Sequence, residues 1–231
     1  MTSEPSPSAL HHSTDSDDAD ERFRAFVESP AFPCLAGKGV VHSGGHQLEV
    51  FGTLGSVRST RRLAGALTDF VSQLQSEPTS LRTFVAVFPP TPANDELEFE
   101  RQLWLQLQRL HDHDAPGAIW APGTSDDPEE PTFAFSYNGT AFFVIGLHPN
   151  SSRLARRFEW PTLVFNPHEQ FQQLRVVNKF ERLRTVVRDR EIALQGSINP
   201  NLADFGERSE ARQYSGRQTE DDWQCPFHRA K

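Results

Sequence analysis

The chain has 231 residues, enough to bury one substantial core or two small ones. Asp and Glu total 31 against 23 Lys and Arg, a net charge of −8, and this excludes the concentrated basic face that a nucleic-acid-coating protein needs. No apolar run reaches the roughly 18–20 residues that cross a bilayer, the polar N-terminus has no signal-peptide core, and Cys34 and Cys225 form neither a zinc knuckle nor a disulfide framework, so a soluble, cytoplasmic protein with reduced thiols is expected.

Residues 1–20 hold Ser, Pro and Asp with almost no large apolar side chains. Such a segment cannot bury enough surface to offset its ordering entropy, and a disordered acidic tail is expected. Order should begin at Glu21, where Phe23, Phe26 and Val27 fall at helical spacing before Pro30. Gly37-Lys38-Gly39 lacks the rest of a phosphate-binding loop and reads as a turn that needs glycine dihedrals. A short strand follows at 47–51. Across 61–74 the residues Leu63, Ala66, Leu67, Phe70, Val71 and Leu74 line one side of a helix.

The run TFVAVF at 83–88, closed by Pro89-Pro90, predicts a buried strand. A long helix is expected over 95–111, with Asn94 able to cap it. The histidines of HDHD at 111–114 suit a helix C-terminus better than a metal. Strands at 133–137 and 141–147 flank Asn138-Gly139, the strongest short hairpin signal, because a type I′ turn needs positive φ at both central positions. After a strand at 162–165, Asn166, Pro167 and Glu169 fit the N-cap, N1 and N3 positions of a new helix. A further helix over 180–193 ends before Gly196. The polar segment beyond Asn199 carries Phe205, Tyr214, Trp223 and Phe227, enough buriable aromatic surface to wrap the domain. The expected fold is therefore α+β: a single domain with a small, mainly antiparallel sheet, helices packed on one face, and a wrapping C-terminal arm.

The chemistry concentrates between Phe142 and Arg175. Two apolar runs there each end in a histidine, His148 before Pro149 and His168 after Pro167. Between them Arg153, Arg156 and Arg157 stand at i, i+3 and i+4, the spacing of one helix face. A helix N-terminus would keep His168 neutral, and a neutral imidazole is what a metal binds. Guanidinium groups pair with acid groups in fork geometry. The combination suits a metal-bearing anionic cofactor. Each histidine also suits a hydrogen-bonded structural role, and each arginine a surface ion pair.

Six segments carry a family resemblance: FPC at Phe32–Cys34, GLHP at Gly146–Pro149, SRLARRF at Ser152–Phe158, FNPHEQF at Phe165–Phe171, SEARQYSGR at Ser209–Arg217 and WQCPF at Trp223–Phe227. Together they resemble the YqcI/YcgG family over roughly residues 21–228. Its bacterial members include the haem-dependent guanidine N-hydroxylase of guanitoxin biosynthesis, the pre-guanitoxin N-hydroxylase. Beyond the disordered acidic tail at 1–20, the resemblance implies a haem-binding domain at 21–231, and haem b (iron protoporphyrin) with O2 as the oxidant.

Carried onto this chain, His148 or His168 would be the axial iron ligand, with Cys225 as a thiolate alternative. His148 is favoured because a rigid hairpin strand leads into it and Pro149 restricts its exit. Arg153, Arg156, Arg157, Arg212 and Arg217 would hold the propionates. A guanidinium substrate calls for a carboxylate, with Glu207, Glu210 and Asp204 as the candidates. The expected activity is N-hydroxylation of a small guanidine- or amine-containing substrate. An external reductant or electron-donor protein would be needed, since no flavin or nicotinamide fingerprint is present. The alternatives are a haem-binding or haem-sensing protein without catalysis, and a non-haem iron enzyme using His148, His168 and an acid such as Glu169 or Asp204. A homodimer is compatible with this plan, although no residue pattern specifies one.

Overall fold

The apolar runs assemble into one five-stranded sheet in the computed structural model, which describes residues 7–77, 81–89, 91–114, 119–170 and 180–229. The strands are β1 (His46–Val50), β2 (Thr83–Val87), β3 (Phe135–Tyr137), β4 (Thr140–Leu147) and β5 (Thr162–Pro167), in the order β1-β2-β5-β4-β3. Only β1 and β2 run parallel; the other pairs are antiparallel. The parallel pair needs a crossover, which is helix α3 (Val57–Ser76), started by the Ser56 side chain accepting from the Ser59 amide. The β3–β4 hairpin turns at Asn138 and Gly139, with φ of 48° and 71°, as the dipeptide predicted.

The other helices are α1 (Pro7–Glu28), α2 (Leu35–His42), α4 (Glu96–Asp114), α5 (Phe180–Gln195) and the short α6 (Ala211–Tyr214). A single 3-10 turn covers Leu154–Arg156, and a helical turn opens at 168–170. The main core lies between one sheet face and α3 with α4. There Phe84, Phe142, Val144, Leu163 and Phe165 meet Leu63, Leu67, Phe70, Phe99, Leu103 and Leu107.

The α+β fold and mainly antiparallel sheet are as expected, but helices cover both faces of the sheet rather than one. Val85, Val87, Leu147 and Val164 on the second face pack against Phe23 and Val27 of α1, Val41 of α2, and Phe158. Every residue of β2 is buried, so its apolar side chains need a cover on each side. The same need accounts for the N-terminus. Helix α1 takes in residues expected to be disordered, with Ala19 buried and Asp18 and Asp20 bonded to Arg22 and Arg24 one turn on. Local pairing and one small packed residue outweigh the polar composition.

Two local readings also change. Gly37 and Gly39 lie inside α2, whose first turn is capped by the Cys34 sulfur accepting from the Gly37 amide, and the positive φ falls instead at Gly44. The cap of α4 is Asp95, accepting from the Glu98 amide at 2.7 Å, while Asn94 bonds Glu98. The C-terminal arm wraps as predicted, placing Tyr214, Cys225 and Phe227 in the main core.

Candidate functional site

Strand pairing fixes the two histidines before any side chain is considered. Leu147 pairs with Thr162 and Phe142 with Pro167, so His148 and His168 leave the β4–β5 ladder from opposite ends. Five residue steps separate those ends, roughly 17 Å at the antiparallel rise. The two imidazoles therefore belong to different sites. A non-haem triad through both cannot form, and among the described residues no group of three or more His, Cys, Asp or Glu is placed to hold a metal ion.

His148 sits where β4 meets the start of α4. Its amide donates to the Arg156 carbonyl at 3.0 Å, and the loop beyond it is tied down by Asn150 donating to the Ala93 carbonyl and Ser152 to Glu96. The ring stacks on Phe99, centroids 4.4 Å apart and 22° from parallel. Gly146 makes this approach feasible. A Cβ there would lie 2.7 Å from the Phe99 ring, 2.8 Å from the Tyr214 carbonyl and 2.9 Å from Leu103.

His148 is wholly buried and neither ring nitrogen has a hydrogen-bond partner. Burial, assisted by the Arg156 charge and opposed by Glu96 and Asp95, lowers its pKa to about 4, so the ring is neutral at pH 7. An unpartnered buried polar atom costs about 1–3 kcal/mol, and His148 carries two of them in one ring. A neutral imidazole with no protein acceptor or donor in reach has its lone pair uncommitted.

His168 stands in the opposite state. Its Nε2 bonds Glu210 at 2.9 Å, and the other Glu210 oxygen accepts the Tyr214 hydroxyl at 2.5 Å. The Tyr214 oxygen in turn accepts from the Phe135 amide at 2.9 Å. All three side chains are buried, with the Phe205 ring edge-on to the imidazole. Burial raises the Glu210 carboxyl above its usual range, against the lowering effects of His168 and Tyr214, and burial also raises Tyr214. The geometry ties the C-terminal arm to the sheet. Asn166, expected as a helix cap, instead bonds Thr83 and the Phe143 carbonyl across the sheet, since β5 continues through Pro167.

The arginines do not share a face. The 3-10 turn takes in only Leu154–Arg156, and Arg153 before it is extended while Arg157 after it is non-helical, so the three side chains diverge. Arg153 reaches Ser197 and, at 3.6 Å, Glu191. Arg156 donates to the carbonyls of Gly146, Gln213 and Tyr214, and Arg157 twice to that of Ser151. Arg212 serves the carbonyls of Glu220 and Trp223, and Arg217 binds Glu100 and Glu220. Of the five, only Arg153 retains a buried donor without a partner, its Nε. The expected cluster of propionate anchors is thus mostly engaged in joining loops.

The remaining sequence-derived candidates separate cleanly. Glu207 is exposed and accepts only the Asp204 amide, while Asp204 pairs with Arg184. Both Glu210 oxygens are occupied, so it has no fork to offer a guanidinium. Glu169 is exposed. Cys225 is buried and its thiol is pushed up by desolvation, which disfavours the thiolate. Sequence reasoning missed Phe99 and the pairing of Tyr214 with Glu210. The last was signalled only by their i, i+4 spacing.

A family model described as the YqcI/YcgG family matches residues 23–228. A Bacillus subtilis (strain 168) protein named "Uncharacterized protein YqcI" is 27% identical over 213 residues, covering 87% of this chain and 82% of its own. No solved structure matches the chain.

Proposed function

Given that the chain belongs to the YqcI/YcgG family, we propose that it is a haem-dependent monooxygenase. It would N-hydroxylate a small guanidine- or amine-containing substrate with O2 and an external reductant. The observation that carries the reading is His148: fully buried, neutral, and unpartnered at both ring nitrogens. An iron porphyrin needs one proximal donor, and such an imidazole can serve. Its propionates need donors not already engaged, and Arg153 Nε meets that need where the other four arginines do not. The donor set therefore fits through His148 and Arg153. His168 and Cys225 fit less well, the first because it is bonded to Glu210 and the second because burial keeps its thiol protonated.

Haem would supply the activation of O2. The chain's part is to hold the His148 ring in one orientation against Phe99, to keep water from it, and to fix its backbone through the Arg156 carbonyl. Glu210 Oε1 accepts the hydrogen bond of the Tyr214 hydroxyl and so orders the arm over β4. A carboxylate for a cationic substrate is not supplied by Glu207, Glu210 or Asp204, each of which is exposed or otherwise engaged.

The test is an absorbance spectrum of protein made in haem-replete cells, followed by reaction with reductant, O2 and a panel of guanidines and amines. A Soret band and an oxygen-dependent N-hydroxylated product are expected. A band without turnover across the panel would make the protein a haem binder rather than an oxygenase. Failure to take up added hemin would remove the haem reading altogether.

A further inference from the structure

We propose that Trp223, Trp104 and Tyr214 form a built-in chain for moving single electrons between the protein surface and the buried arm beside Gly146, with Glu210 as the proton acceptor that makes Tyr214 its end point. The rings are in series. Half-buried Trp223 lies 6.3 Å from buried Trp104, and Trp104 stacks on Tyr214 at 5.6 Å and 23°. Among the described residues the other rings against Tyr214 are Phe133 and Phe143, which do not give up an electron readily, so Trp104 is the oxidisable ring in contact with it there.

Proton placement sets the direction. A tyrosine loses an electron easily only if its phenolic proton leaves at the same time. Tyr214 donates that proton to Glu210 Oε1 at 2.5 Å. The chain has two tyrosines, and the other lacks this partner. Tyr137 donates to the Ala64 carbonyl at 3.0 Å and lies 3.4 Å from the Thr68 hydroxyl, neither of which is a base. Trp104 Nε1 is buried with no hydrogen-bond partner, so an oxidised Trp104 cannot shed its proton and remains a strong oxidant. The hole therefore passes on to Tyr214. With a one-electron oxidant of the metal-complex class, the step balances as Tyr214-OH plus Glu210 carboxylate plus oxidised complex giving the Tyr214 phenoxyl radical, Glu210 carboxylic acid and reduced complex.

The use of this chain rests on the oxygenase reading, since the Tyr214 carbonyl borders Gly146, two residues before His148. The test supplies its own oxidant and so can fail independently of haem. The full chain without haem is irradiated with a ruthenium polypyridyl sensitiser and persulfate, frozen, and read by electron paramagnetic resonance. A tyrosyl signal is expected in the wild type and in Tyr137→Phe, with loss of that signal in Tyr214→Phe and in Trp104→Phe. Glu210→Gln, which keeps the shape but removes the base, should also lose it, with circular dichroism confirming that each variant is folded. A tryptophan radical alone in the wild type, or a tyrosyl signal that disappears in Tyr137→Phe and survives in Tyr214→Phe, would overturn the proposal.

Discussion

His148 and His168 occupy the two ends of one β-ladder, and they are treated in opposite ways by the fold. Around His168 a buried carboxylate accepts from both the imidazole and a phenol, and an aromatic edge closes the site. Around His148 the fold supplies a stacking ring and complete burial, yet no partner for either nitrogen. A residue whose polar atoms are met by the protein is explained by stability. A residue whose polar atoms are buried and unmet carries a cost that stability alone does not justify. The comparison explains His168 by stability, and it is the ground on which a ligand-binding role is proposed for His148.

The comparison can be broken most forcefully at Glu210. Glu210→Ala removes the acceptor that His168 and Tyr214 share, leaving the Tyr214 hydroxyl the Phe142 carbonyl at 3.2 Å, and the expected loss is about 3–5 kcal/mol in chemical denaturation. A loss below about 1 kcal/mol would mean that the buried triad does not hold the arm.

The next largest effect concerns the proton on His148. Its folded pKa of about 4 lies below the unfolded value of 6.5. Between those values the unfolded apoprotein binds the extra proton, so stability falls as pH drops from about 6.5 to about 4, by about 3 kcal/mol in total. His148→Leu should remove that component. It should also raise stability at pH 7 by about 1–3 kcal/mol, because two orphaned nitrogens disappear. Unfolding curves at several pH values would measure both, and a destabilised variant at pH 7 would show that the ring is structural after all. The buried Glu210 carboxyl works in the opposite sense. Its raised pKa costs stability as pH rises above its unfolded value, so the wild-type-minus-variant difference isolates His148.

A smaller effect is expected at Gly146, where a methyl group would press on Phe99 and the Tyr214 backbone. Gly146→Ala should cost about 1–3 kcal/mol and should disturb the His148 site more than the His168 site. The smallest belongs to Glu207. Glu207→Ala should change stability by less than about 0.5 kcal/mol, and a loss of activity there would return Glu207 to the candidate list.

The elements legible in the sequence were those with strong local signals. The Asn138-Gly139 hairpin, the apolar stripe of α3 and the buried run of β2 all appear close to their expected positions. The packed end of α1 around Ala19 was not legible, because composition does not register i, i+4 pairs such as Asp18 with Arg22. The arginine cluster misled because helix periodicity was extended across a segment that forms only a 3-10 turn. At the site, both histidines were visible as strand ends. Their separation was not, because it depends on β4 and β5 being antiparallel neighbours. Nor could any spacing reveal that Phe99, nearly fifty residues earlier, would stack on His148 while leaving its nitrogens without partners.

The central claim is that His148, and not His168, offers its nitrogen to a haem iron. The most direct measurement is an optical titration of the apoprotein with hemin, made on the wild type, His148→Ala and His168→Gln. A Soret band is predicted for the wild type and His168→Gln, absent in His148→Ala and returning there when free imidazole is added. An unaltered band in His148→Ala, or its loss in His168→Gln alone, would contradict the account.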